Sequence, residues 1–89
     1  MRVAIICTDK EGALETRKAN REAHLAYLKS TGVVEQAGPF LNPEDQMSGS
    51  LLILNVSDMA AARKWAENDP YAKAGLFADV RIEQWNKVI

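Results

Sequence analysis

Three features of the sequence predict an α+β fold. Four short segments, Arg2–Thr8, Val33–Ala37 running on into Gly38-Pro39-Phe40, Gly49–Val56 and Ala78–Trp85, carry β-branched and apolar residues in runs of strand length. The stretch Ala13–Thr31 has no proline and is dominated by Ala, Leu, Glu, Arg and Lys, which favour helix. A second helical stretch, Asp58–Glu67, sits between the third and fourth strand candidates. The order is β-α-β-β-α-β.

Each element has local support. Arg2–Thr8 is apolar on both alternating sets, Val3, Ile5 and Cys7 against Ala4, Ile6 and Thr8. A strand covered on one face only alternates more strictly, so both faces are expected to be covered. Asp9-Lys-Glu-Gly12 reads as a turn. In the first helix, Leu14, Lys18, Arg21, Leu25 and Leu28 follow helical spacing as one stripe, with Arg17 and His24 along its edge. Gly32 stands where a helix C-terminal glycine belongs.

Asn42-Pro43-Glu44-Asp45 has turn chemistry, and the short connection suits an antiparallel hairpin between strands two and three. Gly49–Val56 is again apolar on both sets, Leu52, Leu54 and Val56 against Leu51 and Ile53. Ser57 is the expected N-cap of the second helix, with Asp58 in its first turn. Asn68-Asp69-Pro70 stops that helix, because the residue before proline is pushed out of the helical region. Pro70–Ala74 reads as a short extra helical turn closed by Gly75. In the last strand Val80 and Ile82 oppose Asp79, Glu83 and Trp85.

This order is the ferredoxin-like, or split βαβ, arrangement. It places four antiparallel strands in one sheet with both helices on one face. The other face is apolar along two strands and is expected to be buried by a second copy. The same expectation follows from size. The chain has 89 residues, one domain over 1–89, and 47% of them are hydrophobic. A domain of this length buries only about 60% of its unfolded surface.

Composition excludes several classes. No apolar run of about 18 residues exists to cross a membrane, and no leader is expected, since Arg2 precedes only five apolar residues. A cytoplasmic location follows as the expectation. One cysteine supplies neither a disulfide framework nor a zinc cluster. A net charge of −1 argues against nucleic acid, and the first and third strands lack the aromatic residues of an RNA-recognition sheet. Glu44, Asp45, Asp58 and Glu67 show no metal-ligand spacing, Gly38 and Gly49 form no phosphate-binding motif, and no cofactor is expected.

His24 is the single histidine and the natural proton-transfer group at neutral pH. It also fits a partly buried histidine satisfied by one hydrogen bond. Asp69 is its candidate partner, since a carboxylate on one ring nitrogen fixes the tautomer. Asp69 is equally an N-cap for the short helix at Pro70, and a carboxylate can serve both. Arg17 and Arg21 either snorkel to water or present a guanidinium to an oxygen-rich ligand. Ser50 either begins a strand or bonds a ligand, and no nucleophile elbow surrounds it. Phe40 and Met47 are expected as apolar walls. Cys7 reads as an inert core residue, and Trp65 and Trp85 as packing aromatics.

The residues Arg17-x6-His24-Leu25-x-Tyr27-Leu28, Ala37-Gly38-Pro39, Gly49-Ser50-Leu51 and Asn68-Asp69-Pro70-Tyr71-x3-Gly75-Leu76 resemble the YCII-related (YciI-like) family over nearly the whole chain. The resemblance implies a dimeric α/β barrel, with ferredoxin-like subunits packed sheet to sheet, as in muconolactone isomerases and small monooxygenases. It implies a His–Asp dyad in a small pocket, matched by His24 and Asp69, with Ser50 and Arg17 at the family's serine and helix arginine. One relative in chloroaromatic degradation is a dehydrochlorinase acting on a chlorinated hydroxyquinol.

Two functional readings follow. In the first, His24 and Asp69 carry out acid–base elimination or isomerisation on a small oxygen-rich molecule held by Arg17, Ser50 and Phe40. In the second, the chain is a non-catalytic ligand-binding or regulatory module. Both expect a homodimer through the open sheet face, or an assembly of such dimers.

Overall fold

A computed structural model describes all 89 residues. The elements are β1 (Arg2–Asp9), α1 (Leu14–Thr31), β2 (Val34–Leu41), β3 (Met47–Asn55), α2 (Met59–Asn68), α3 (Pro70–Lys73) and β4 (Phe77–Gln84). The strands form one antiparallel sheet in the order β2-β3-β1-β4. This is the ferredoxin-like α+β arrangement. No helix is long and apolar enough to cross a membrane.

The core lies between the sheet and the helices. Ile5 and Cys7 of β1, Leu52 and Leu54 of β3 and Trp65 of α2 form its centre, with Tyr27 and Leu28 of α1 packed against it. Trp65 also fastens the two long helices together. Its indole N–H donates to Thr31 Oγ1 at 3.0 Å, and its carbonyl accepts from the Tyr27 hydroxyl at 2.8 Å. Buried Tyr and Trp polar tips are thereby satisfied.

Helix ends follow side-chain chemistry with one correction. Gly32 closes α1 in the left-handed region at φ 67°. The cap of α2 is Asp58, not Ser57: its carboxylate accepts from Ala61 N–H at 2.8 Å. Both residues are good caps, and the chain turns extended at Asp58, one position later.

The α1 stripe also shifts. Its buried residues are Arg17 and His24, while Lys18, Arg21 and Leu25 are exposed. The helix lays a polar line over the sheet because buried carboxylates wait there for it.

Candidate active site

Helix geometry supplies the first step. Arg17 and His24 are seven residues apart, close to two turns at about 3.6 residues each, so they share one face. Each meets a carboxylate from a different element.

His24 Nδ1 lies 2.7 Å from Asp69 Oδ1. Asp69 occupies the junction of α2 and α3, where Pro70 forbids further helix, and its Oδ1 also accepts from Tyr71 N–H at 3.0 Å. Cap and histidine partner are therefore one oxygen. A carboxylate accepts only, so Nδ1 carries a proton, and in the neutral ring Nε2 holds the lone pair. Nε2 has no hydrogen-bond partner, and no buried side-chain nitrogen or oxygen lacks one. Nε2 thus retains accessible surface, although His24 as a whole is only 6% exposed.

Arg17 meets Asp9 at the end of β1. Its Nε donates to Asp9 Oδ2 at 2.7 Å and its Nη2 to Asp9 Oδ1 at 2.9 Å, a bidentate fork. Nη2 also donates to Ser50 Oγ at 2.8 Å. Burial works against the Arg17 charge, but the hydrogen bond and attraction of Asp9 outweigh it and hold the guanidinium pKa above its ordinary value. Ser50 is placed by Gly49, where a Cβ would collide with the Cys7 carbonyl oxygen. Only glycine lets β3 run this close to β1 at that point.

Tyr71 joins the two pairs. Its ring stacks on the His24 imidazole at 3.8 Å between centroids and 13° between planes. The Arg17 guanidinium carbon lies 4.7 Å from the same ring centroid. Burial pushes the Tyr71 phenol up, while Arg17 and Arg21 pull it down, and burial wins.

These groups surround a cavity of about 150 Å³. Arg17, Arg21, His24, Ser50 and Tyr71 form its polar wall. Leu28, Pro39, Met47 and Leu52 form much of the apolar one. The arrangement offers a partner-free imidazole nitrogen next to donors that can bind oxygen.

Of the residues singled out in the sequence, His24, Asp69, Arg17 and Ser50 come together. Phe40 does not join them. It pairs with Gly49 and lies on the other face of the sheet, 42% exposed. The β2–β3 register shifts between Val34 and Gln36, and one extra residue reverses which face each later side chain occupies. Met47 does line the cavity.

Two residues of the site escaped sequence reasoning. Asp9 stands at the head of the Asp9–Gly12 turn, yet it continues the core-facing set Val3, Ile5, Cys7, and an acid on that set needs a cation. Tyr71 was visible in the Asp69-Pro70-Tyr71 motif, but nothing local announces its stack on a helix distant in sequence. Cys7 is a core residue. Burial pushes its thiol up to about 12, so it is inert at neutral pH.

The YCII-related domain family matches residues 1–86. An uncharacterised protein of Haemophilus influenzae is 36% identical, with 99% of each chain covered. Protein YciI of Escherichia coli is 34% identical over the same shares. Among solved structures, 5-chloro-2-hydroxyhydroquinone dehydrochlorinase (TftG) from Burkholderia phenoliruptrix, in complex with 2,5-dihydroxybenzoquinone, is similar at a TM-score of 0.88. It is 36% identical, with 97% of this chain and 94% of that one covered. An antibiotic biosynthesis monooxygenase is similar in fold alone, at a TM-score of 0.61 and 12% identity over 99% of this chain and 98% of that one.

Proposed function

The chain belongs to the YCII-related family, and on that premise we propose that it is a small acid–base enzyme whose His24–Asp69 pair moves a proton. The observation that carries the reading is the 2.7 Å contact at Nδ1, which leaves Nε2 as the open base of the cavity. Asp69 orients the ring and fixes its tautomer. Arg17 and Ser50 bind oxygen atoms of the substrate.

The chemistry that suits this site is elimination or isomerisation. In an elimination, Nε2 takes a proton from carbon. The C–H pair becomes the new double bond, and the leaving group departs with its bonding pair. In an isomerisation, the same nitrogen returns the proton to a second atom. General acid–base catalysis of this kind contributes roughly 10²–10⁴-fold. The similarity to a dehydrochlorinase supports a small oxygen-rich substrate.

Chloride release from 5-chloro-2-hydroxyhydroquinone and solvent-deuterium exchange into a panel of enolisable acids and phenols test the reading. Wild-type protein is expected to accelerate at least one reaction, and His24→Gln to lose that acceleration. Equal rates for the two proteins throughout, with ligands still binding, would leave a binding module instead.

We also infer that a second copy covers the open sheet face. Ile6 pairs with Leu51, and Gly38 and Phe40 extend the exposed patch onto β2, whereas Ala4 and Ile53 of the same face are already buried within one chain. Leu51 is 37% exposed. Wild-type protein should run as a dimer in light scattering at micromolar concentration, and Leu51→Lys as a monomer. A monomeric wild type refutes the pairing.

A further inference from the structure

The charge around the cavity is one-sided. Its wall includes two guanidiniums, those of Arg17 and Arg21, and no carboxylate. Asp9 and Asp69 stand behind their partners rather than on the wall, each at 2.7 Å. Arg17 is therefore balanced by Asp9. Arg21 is not. It enters no ion pair. Its helix neighbours three and four residues away are Arg17, Lys18, His24 and Leu25, none of them acidic. Its field nonetheless reaches the interior, where it acts on the Tyr71 phenol.

Donor geometry adds to this. Nε and Nη2 of Arg17 are committed to Asp9 and Ser50, while Nη1 bonds neither of them and the guanidinium also acts on the Tyr71 phenol across the cavity wall. Arg21 is exposed and lines the same cavity, so it sits at the rim. The cavity is also small, though open at its mouth. An apolar cavity of about 150 Å³ accommodates one benzene ring, and this cavity has the same volume.

We propose that the site selects a small oxyanion, a carboxylate or phenolate on no more than one six-membered ring, with Arg21 at the rim and Arg17 inside as its charge partners. An anion entering this pocket exchanges water for charge-assisted bonds from both guanidiniums, whereas a neutral analogue of equal shape accepts from the same donors without the opposite charge and more weakly. The proposal deepens the acid–base reading by naming the substrate class. It is tested by binding alone, so either can fail without the other.

The test is calorimetric titration with benzoate, benzamide, benzyl alcohol and 2-naphthoate. Benzoate is expected to bind at millimolar concentration or below, about tenfold more tightly than either neutral analogue. Its affinity should fall with added salt. Arg21→Gln should lose about tenfold for benzoate and little for benzamide. Arg21 is exposed, so the variant is expected to fold, and the salt dependence of wild type decides the matter if it does not. Benzamide binding as tightly as benzoate, no benzoate binding, or an unchanged R21Q would each overturn the charge assignment. Equal affinity for 2-naphthoate overturns the size limit. If benzoate behaves as stated while no proton transfer is accelerated, the oxyanion site stands and the acid–base reading falls. Equal binding of benzamide and benzoate, with proton transfer still accelerated, gives the reverse.

Discussion

Two buried carboxylates meet α1 two turns apart, and both contacts measure 2.7 Å. Asp9 holds Arg17 and Asp69 holds His24. The side chains are similarly buried, at 3% and 6% exposure in one pair and 8% and 3% in the other. What differs is the base. A guanidinium stays charged in any folded protein, so Arg17–Asp9 is a permanent ion pair with fork geometry. An imidazole has two ring nitrogens, and the contact at Nδ1 leaves the second one open. One arrangement of helix and carboxylate therefore yields a fixed ion pair at one position and, at the other, an imidazole with one nitrogen open.

The comparison breaks most visibly at His24. His24→Gln should cost roughly 10²–10⁴-fold in rate on any substrate turned over. Its stability should fall by less than about 2 kcal/mol, because glutamine can still donate to Asp69. Stopped-flow rates and urea denaturation separate the two effects. A fully active H24Q would refute the assignment of the base.

Arg17→Met should show the opposite profile in stability. It strands the Asp9 carboxylate in a buried site, at a cost of about 3–5 kcal/mol in denaturant unfolding. Replacing both partners, Arg17→Met with Asp9→Leu, should recover much of that loss. Additive single and double losses would mean that the pair is not coupled.

Asp69 can be split into its two roles. Asp69→Asn keeps a capping oxygen, so stability should remain within about 1 kcal/mol of wild type while the rate falls with the lost charge. Asp69→Ala should lose a further 0.5–2 kcal/mol or so with the cap. If both variants unfold at the same denaturant concentration, the hydrogen bond to Tyr71 N–H contributes nothing.

The smallest effect lies in the alkaline range. The Cys7 thiol has an ordinary value of 9.0 and is pushed up to about 12 by burial first, with Asp69 adding to it. Between those values the unfolded chain gives up the proton while the folded chain keeps it, so stability falls as pH rises through that window and is level below it. Half-buried Tyr27 and buried Tyr71, whose phenols are also raised, steepen the fall above pH 10. Cys7→Ala should lose less stability than wild type between about pH 9 and 11. An unchanged slope in that range would assign the whole effect to the tyrosines.

Much of the site was legible in the sequence. A single histidine, an Asp-Pro step and a Gly-Ser strand start are local signals, and His24, Asp69 and Ser50 carry them. Asp9 and Phe40 are less legible, for different reasons. Asp9 stands beside turn residues, although plain alternation from Val3, Ile5 and Cys7 already puts it on the core-facing set, whereas the face of Phe40 depends on the β2–β3 register, which shifts between Val34 and Gln36. Alternation counted from Val34 puts Phe40 toward the helices, and the shift turns it away. The leucine stripe of α1 misled in another way. It ranked residues by hydropathy, whereas Arg17 and His24 are buried because each has a carboxylate partner.

The sequence by itself determined the element order, the helix stops at Gly32 and Pro70, and the chemical types available to the site. Those are short-range properties, set by φ/ψ preference, hydropathy period and side-chain functional groups. Only the tertiary structure decided that Asp9 takes Arg17, that Tyr71 stacks on His24, and that Arg21 stands at the rim without a counter-ion. These are contacts between residues far apart in the chain. Their geometry depends on sheet register and on how α1 settles over β1 and β3, which no local pattern encodes.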